Sequence, residues 1–322
     1  MTDDTQYYIF LDEIQHVSHF EKAVDSLFIK PNADVYMTGS NAFFLSGELA
    51  TLLSGRYVEL QMLPLSFKEF CLGHSDNTLS LAQKYTLYVQ SSSFPYALAL
   101  YQDEKAVREY LSGIFNTILV KDTLTRLGSG APALLQSIIK YIAANIGSLI
   151  SPNKIANSLT SAGRKTDNKT VERYLQSLKD SLLLYQANRY DVRGKELLKI
   201  HAKYYLVDPA FRQLLLNDTG RDAGHILENL VYLELLRRGC QVYVGQLPKG
   251  EIDFVAGDAT GLAYYQVAES TLAPEVLDRE LRPLQAIKDQ YPKYLLTLDE
   301  ITPTANYNGI LKKNVLEWML EE

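Results

Sequence analysis

The chain has 322 residues, enough for two or three domains at roughly 100–200 residues per domain. Its net charge of −6 excludes a polycation, so any contact with nucleic acid has to come from a local basic patch. No apolar run approaches the roughly 20 residues of a membrane span, and the start MTDDTQ has neither the basic nor the apolar region of a signal peptide. The two cysteines, Cys71 and Cys240, lie far apart in the sequence and, with this start, indicate a reducing cytosol. We therefore expect a cytoplasmic protein without membrane contact.

A strand, a helix and a second strand are predicted at the N-terminus. The run YYIFL from Tyr7 is continuously apolar, which indicates a buried strand, and it stops at Asp12 and Glu13. Apolar residues then recur at helical spacing as far as Phe28, Pro31 breaks that helix, and DVYMTGSN follows as the second strand. This β-α-β order favours parallel strands, whose carboxyl ends meet at one edge of the sheet.

Further elements are predicted up to residue 132. LSGELATLLSG is expected to be helical, and YVELQM, residues 57–62, alternates as a third strand. Pro64 ends that strand, and Ser66 is suited to cap the next helix. Residues 67–127 are predicted to be mostly helical, and GSGAP at 128–132 resembles a linker.

The acidic pair indicates a magnesium–nucleotide site. An Asp at the carboxyl end of a parallel strand can hold the water shell of Mg²⁺, and a following Glu can polarise the attacking water. Asp12 and Glu13 fit these two positions, and the next strand ends in polar side chains that could reach a γ-phosphate, those of Thr38, Ser40 and Asn41. Arg56 could neutralise phosphate charge in its own chain or in a neighbouring subunit. The alternative is a strand followed by an acidic helix N-terminus, where carboxylates favour the macrodipole.

Three stretches together resemble a known family: IFLDEIQHV, VYMTGSNAFFLSGELATLLSGRYVELQMLPLSFKEF and YLVDPAFR. They look like the predicted bacterial and archaeal AAA-type ATPases that carry a C-terminal domain of unknown function, and the resemblance covers essentially the whole chain. It implies an ASCE-type P-loop core, a helical extension, a winged helix and a nuclease-like fold. It also implies ATP and Mg²⁺ as cofactors, with Asp12 organising Mg²⁺ through water, Glu13 orienting the attacking water, Ser40 sensing the γ-phosphate and Arg56 serving as the arginine.

The GxxxxGKS/T loop of that family is absent from this sequence. AGRKT at 162–166 comes nearest, but it lacks the leading glycine and lies between predicted helices, not after a strand. Without backbone amides around the phosphates and a lysine on the β/γ oxygens, coordination of Mg²⁺ alone is weak. We therefore expect this chain, as a fragment or a degenerate member, to bind and hydrolyse ATP poorly or not at all.

Residues 131–207 predict three helices followed by a hairpin, the plan of a winged helix-turn-helix. Ser151 precedes Pro152 as an N-cap, Asp167 or Asn168 caps the third helix, and the hairpin turns near Gly194. Basic residues outnumber acids between residues 164 and 203, as expected of a phosphate-binding surface. A protein-binding wing or a merely solvated face remain the alternatives. The DNA-binding candidates are Arg164, Lys169, Arg173 and Arg193, and the other basic residues are Lys165, Lys179, Arg189, Lys195, Lys199 and Lys203.

Residues 208–322 follow the order of the PD-(D/E)xK nucleases, in which carboxylates bind Mg²⁺ and a lysine activates water. Glu228 on a helix and Asp253 on a strand match that order, but Gln266 stands where an acid is expected and Ala268 where the lysine is expected. Lys249 is the candidate for a displaced ammonium. We therefore expect no cleavage, and either a structural role for these residues or binding of nucleic acid or a partner without cutting.

The sequence thus predicts an α/β protein: an incomplete P-loop NTPase parallel sheet with a helical extension, a winged helix-turn-helix, and a restriction-endonuclease-like α/β domain. The expected ranges are 1–66, 67–130, 131–207 and 208–322. The expected function is that of an AAA-type ATPase polypeptide acting on DNA or on a partner, with self-association if Arg56 acts in a neighbouring subunit. The alternative is a non-catalytic DNA- or protein-binding module.

Overall fold

The structure is a computed structural model that describes the chain except residues 1–4, 15–16, 40–54, 75–77, 125–126, 128–130, 217–222 and 322. The described strands are β1 Tyr7–Leu11, β2 Ala33–Met37, β3 Leu184–Asp191, β4 Glu196–Leu206, β5 Gln241–Gln246, β6 Glu251–Asp258, β7 Gly261–Ala268, β8 Lys293–Thr297, β9 Ala305–Tyr307 and β10 Ile310–Asn314.

The described helices are α1 Phe20–Phe28, α2 Phe67–Gly73, α3 Leu81–Ser91, α4 Ala97–Leu100, α5 Glu104–Thr117, α6 Pro132–Ala144, α7 Pro152–Ser161, α8 Asn168–Asp180, α9 Ala210–Leu216, α10 Ala223–Arg237, α11 Pro274–Gln285 and α12 Val315–Leu320. A π-helical segment, Ile118–Leu124, continues α5. None of the helices in the described ranges is long and apolar enough to cross a membrane.

The two N-terminal strands are parallel and joined through α1, as predicted, with Tyr7 opposite Ala33 and Leu11 opposite Met37. The prediction that β1 is buried throughout was wrong. Tyr8 and Phe10 are 63% and 74% exposed, because alternate side chains of a strand point to opposite faces. Within the described residues, only one face of this two-stranded sheet is covered.

The predicted third strand at residues 57–62 does not form. Val58, Leu60 and Met62 are all at least 80% exposed, and the segment pairs with no strand in the described ranges. An alternating sequence becomes a strand only where a neighbour takes up its backbone hydrogen bonds. The predicted helix LSGELATLLSG, except Gly55, and residues 128–130 of the predicted linker lie outside the described residues.

The predicted cap at Ser66 is confirmed as a capping box. The Ser66 hydroxyl accepts a hydrogen bond from the Glu69 backbone N–H (3.0 Å), and the Glu69 carboxylate accepts one from the Ser66 N–H (2.7 Å). This start aims Phe67 and Phe70 into the main hydrophobic core. The segment that follows the AAA-like motifs is therefore firmly anchored at residue 66.

The connector at residues 64–66 is also held by parts of the chain that are distant in sequence. Arg237 at the end of α10 donates to the Pro64 carbonyl (2.7 Å) across 173 residues.

The buried Asp208 carboxylate accepts hydrogen bonds from the Ser92 hydroxyl and the Ser93 N–H, 116 and 115 residues away. The helical region 67–124 is thereby fastened to the C-terminal half.

Residues 131–207 form three helices and a hairpin, as the sequence predicts. Ser151 caps α7 by accepting from the Lys154 N–H (3.2 Å), and Asp167 caps α8 by accepting from the Thr170 N–H (2.9 Å). The hairpin pairs β3 with β4 in antiparallel register.

The hairpin is part of a larger sheet. Its β3 pairs in parallel with β5 (Arg189 opposite Val244), so that eight strands form one sheet in the order β4-β3-β5-β6-β7-β8-β10-β9. The predicted division between residues 207 and 208 thus falls within elements that share one sheet.

Candidate functional sites

At the N-terminal site, the carboxyl ends of β1 and β2 bring Asp12 and Thr38 together. The Thr38 backbone N–H donates to the Leu11 carbonyl (2.9 Å), which holds the strand ends in line. The Thr38 hydroxyl then donates to the Asp12 carboxylate and accepts from the Glu13 N–H (3.1 Å). Asp12 and Thr38 are both exposed, so their oxygens face solvent at this edge.

Of the two remaining residues predicted for this site, the structure describes only Arg56. Arg56 forms an ion pair with Asp25 of α1 (Nη1–Oδ1 3.1 Å), and its guanidinium lies 5.6 Å from the Phe28 ring centroid. Its described contacts are thus with α1, not with Asp12. Ser40 lies outside the described residues.

The predicted DNA-binding residues are exposed. Lys169 and Arg173 lie four residues apart on α8 and therefore on one face of that helix. Arg193 lies in the hairpin turn. Arg164 is exposed as well, although its Nη1 donates to the Ala133 carbonyl (2.8 Å).

Lys203 does not belong to this basic surface, which corrects the sequence prediction. Its side chain is only 2% exposed and is surrounded by three carboxylates. Its Nζ lies 2.9 Å from Glu228 Oε1, 3.0 Å from Glu251 Oε1 and 3.4 Å from Asp253 Oδ1. We call this group of four residues the Lys203 cluster.

Three elements build the Lys203 cluster. Lys203 comes from β4, Glu228 from α10, and both Glu251 and Asp253 from β6, where residues two apart share a face. The Tyr205 hydroxyl donates to Glu228 Oε1 (2.6 Å), and the Val267 N–H donates to Asp253 Oδ2 (2.9 Å). The cluster therefore sits where the hairpin, α10 and the main sheet meet.

A glycine packs tightly against Glu228, the member of the cluster that lies on α10. Gly147, which follows α6 with φ of 72°, approaches so closely that a Cβ there would lie 2.8 Å from Glu228 Oε2 and from His225 Nδ1. Any side chain at residue 147 would displace the carboxylate.

Gln266 does not add a carboxylate to the cluster. Its Nε2 donates to Glu280 Oε2 on α11 (2.9 Å), and its Oε1 accepts from the Asp253 N–H (3.4 Å). The other Glu280 oxygen accepts from Arg279 Nη2 (2.7 Å). Glu280 is not predicted from the sequence, where its only signal is its place on the amphipathic helix after β7.

The ammonium at this site also differs from the predicted one. Lys249 is exposed in the turn before β6, and Ala268 offers no charge, whereas Lys203 supplies the ammonium from a strand placed earlier in the chain. A buried lysine surrounded by acids cannot be distinguished from a surface lysine by its immediate sequence.

One positive charge faces three carboxylates, and the pKa values reflect this imbalance. Burial and the nearby Glu228 raise the pKa of Asp253 to about 7, against the opposing effect of Lys203. Burial alone would raise the pKa of Glu228, but Lys203, His225 and Tyr205 together lower it. Although burial opposes the charge of Lys203, the three carboxylates raise its pKa.

These residues do not fit the divalent metal that a nuclease site implies. The ammonium of Lys203 lies among the carboxylates that would ligate the metal, and the amide of Gln266 is committed to Glu280. Across the ranges that the structure describes, no group of three or more His, Cys, Asp or Glu side chains is arranged to hold a metal ion.

Comparison with known proteins identifies two regions. A family described as an AAA domain matches residues 1–71, and a domain of unknown function (DUF8612) matches residues 82–222. A Haemophilus influenzae protein is 42% identical over 98% of this chain and 78% of its own length. A Methanocaldococcus jannaschii protein is 32% identical over 72% of this chain, which spans only 53% of that protein. Both relatives are described as uncharacterised.

Among solved structures, the Walker-type ATPase PABY2304 of Pyrococcus abyssi is similar with a TM-score of 0.43 and 15% identity, over 65% of this chain and 63% of that one. A likeness at this level does not define a fold. The N-terminal region is thus AAA-like by its family match. The chain belongs to the same family as the Haemophilus influenzae protein.

Proposed function

We propose that the complete protein is an AAA-type ATPase polypeptide whose nucleotide turnover is coupled to DNA or to a protein partner. The observation that carries this proposal is the contact between Asp12 and Thr38 at the carboxyl edge of two parallel strands. Open parallel sheets bind ligands at this edge. The AAA-domain match over residues 1–71 supports the same assignment.

Asp12 and Thr38 have the right ligand chemistry for this role. Both offer oxygen atoms, which Mg²⁺ prefers, and both are exposed to solvent. Asp12 would hold Mg²⁺ through water, Glu13 would orient the attacking water, and Ser40 would contact the γ-phosphate. Bound Mg²⁺ neutralises charge on the β- and γ-phosphate oxygens. Arg56 would have to leave Asp25 to act on phosphate, in its own chain or in a second copy.

The same proposal makes this chain by itself a poor ATPase. Its sequence contains no GxxxxGKS/T loop, so backbone amides and a lysine that would hold the phosphates have to come from elsewhere. We accordingly propose weak or absent ATP binding for the chain alone.

The test begins with the genomic DNA upstream of the Met1 codon, read in all frames for a GxxxxGKS/T motif, followed by expression of the extended protein. We expect Mg²⁺-dependent ATP turnover, a loss of about 100-fold or more in kcat for Glu13→Gln, and weaker Mg²⁺-dependent nucleotide binding for Asp12→Asn. Asp34→Asn, an exposed acid at the opposite end of β2, is the matched control and should leave turnover unchanged. The absence of an upstream motif, or turnover that Glu13→Gln leaves intact, would contradict the proposal.

The second candidate is a non-catalytic DNA-binding module formed by a winged helix at residues 131–207. The observation that favours it is the pair Lys169 and Arg173, exposed on one face of the third helix, with Arg193 exposed in the hairpin turn. In helix-turn-helix proteins the N-terminal part of the recognition helix contacts the major groove. A partner protein that binds the same surface is the alternative occupant.

A further inference from the structure

The Lys203 cluster has the composition of a cation site. Three carboxylates from two elements converge on one point, and the side chains of Glu228 and Asp253 are only 10% and 11% exposed. Carboxylates buried this deeply need a positive charge between them, because an unpaired buried charge is costly. The question is which cation occupies that point.

The geometry assigns the point to the ammonium of Lys203. A lysine ammonium has three N–H donors, and three carboxylate oxygens lie 2.9, 3.0 and 3.4 Å from Nζ. The second oxygens of Asp253 and Glu228 lie against other groups of the protein. Asp253 Oδ2 accepts from the Val267 N–H, and Glu228 Oε2 lies beside Gly147 and His225.

Lys203 comes from the hairpin and not from the elements that carry the acids. Its ammonium therefore joins β4 to α10 and to β6, and β3 and β5 lie between β4 and β6 in the sheet order. A divalent ion in its place would hold the carboxylates together but would remove the contact that residue 203 makes, so that β4 would reach α10 only through contacts such as that of Tyr205 with Glu228.

We propose that Lys203 is the resident cation of this site. Its ammonium stands in the place of a divalent metal, prevents such a metal from binding, and fastens the hairpin to β6 and α10. The domain then needs no metal to fold, and it has no vacant position for the metal-bound water that hydrolysis would require. Removing the ammonium leaves converging carboxylate oxygens, the ligands that Mn²⁺ and Mg²⁺ accept.

The test compares the native full chain with Lys203→Met and Lys312→Met. Calorimetry measures the binding of Mn²⁺ to each protein, and thermal unfolding measures its effect on stability. Lys312 is the matched control because it is equally buried (3% exposed) but meets a single carboxylate, that of Asp299 at 2.8 Å. We expect no stoichiometric Mn²⁺ binding by the native protein or by Lys312→Met. Lys203→Met should bind one Mn²⁺ at least about tenfold more tightly than either.

Thermal unfolding gives the second readout. Lys203→Met should unfold at a lower temperature than the native protein in EDTA, and Mn²⁺ should restore at least about 3 °C of the loss. Mn²⁺ should restore nothing in Lys312→Met.

Three outcomes overturn the proposal. One is stoichiometric Mn²⁺ binding by the native protein that Asp253→Asn abolishes, which would make this a metal site with Lys203 beside it. Another is Lys203→Met that binds Mn²⁺ no better than Lys312→Met. If Lys203→Met does not fold in EDTA or in Mn²⁺, the proposed exchange of cations is contradicted as well.

Discussion

Asp253 is the member of the Lys203 cluster that lacks a full counter-charge. The ammonium lies closer to Glu228 and Glu251 than to Asp253, and the nearby Glu228 disfavours a second negative charge. A proton on one of the carboxylates lowers the repulsion among the three that meet at one ammonium. Near neutral pH, Asp253 is therefore partly protonated, with a pKa of about 7.

This raised pKa predicts how stability changes with pH. In the unfolded chain an Asp titrates near its ordinary pKa of about 3.9, so the folded protein holds a proton that the unfolded protein releases between pH ~4 and ~7. The stabilisation from that proton is complete below pH ~4 and is lost as pH rises through about 7. Denaturant unfolding of the native protein and of Asp253→Asn measures it. The free energy of unfolding of the native protein minus that of Asp253→Asn should fall by roughly 1–4 kcal/mol between pH 4.5 and 8.

A matched variant separates this effect from general acid titration. Asp299 is a buried carboxylate whose pKa is lowered because the Lys312 ammonium and the Ser270 and Thr271 groups outweigh its burial. Its stabilisation is lost only as pH falls below the ordinary Asp value, so Asp299→Asn should show no such slope between pH 5 and 8. Equal slopes in the two variants would contradict the assignment to Asp253.

The residues of this site differ in how far the sequence could reveal them. Glu228, Asp253 and Gln266 lie in local helix and strand patterns, from which all three are predicted. Lys203 meets Glu228 and Asp253 across 25 and 50 residues, and its neighbours in sequence are those of an ordinary strand in a basic region. Its positive charge is evident from the sequence, but its burial depends on pairing between distant strands, which no local pattern encodes.

Among the secondary-structure elements, helix starts were predictable and strand pairing was not. Ser66, Ser151 and Asp167 each cap the helix that follows, because a cap depends only on residues two or three positions away. The segment 57–62 has an equally clear alternating pattern but forms no strand, because no strand in the described ranges pairs with it.

The helix α8 gives a prediction about nucleic acid. If it lies in a major groove, Lys169→Glu combined with Arg173→Glu should abolish duplex binding in fluorescence anisotropy at moderate salt. For the single change Arg173→Ala, the negative slope of log K against log salt should become shallower by about 0.9, the value for one phosphate contact. The double change reverses exposed charges on one helix face, so it should leave the fold intact.

The control for this experiment is Lys105→Glu combined with Lys288→Glu, which alters the net charge by the same amount at exposed positions outside residues 131–207. Binding that both double variants weaken equally would indicate only the charge of the whole molecule. Duplex affinity that Lys169→Glu with Arg173→Glu leaves unchanged would remove DNA contact by this helix.

In the molecule as a whole, one sheet connects regions that the sequence analysis divided. The hairpin contributes two of the eight strands, and it contributes the ammonium that the three carboxylates require. The family match to residues 82–222 ends after the hairpin but before α10, whereas the sheet continues as far as β10. The hairpin therefore has structural partners on both sides of residue 207.

This continuity predicts how the chain can be divided. Residues 208–322 alone lack β3, β4 and Lys203, so the three acids lose the ammonium between them, a loss of about 3–5 kcal/mol for the ion pairs alone. We expect no cooperative thermal transition for this fragment by circular dichroism or calorimetry. Residues 67–322, which keep the hairpin and the partners of Asp208, should unfold cooperatively. A sharp transition for residues 208–322 would show that the hairpin is dispensable.

The long-range contact of Asp208 also has a consequence for protein synthesis. The hydroxyl of Ser92 and the N–H of Ser93 find their partner only after another 115 or more residues have been translated. At roughly 5–20 residues per second, this is a delay on the order of 10 seconds. The connector at Pro64 waits longer still, because Arg237 is 173 residues away. The AAA-like segment thus leaves the ribosome well before the residues that hold its connector have been made.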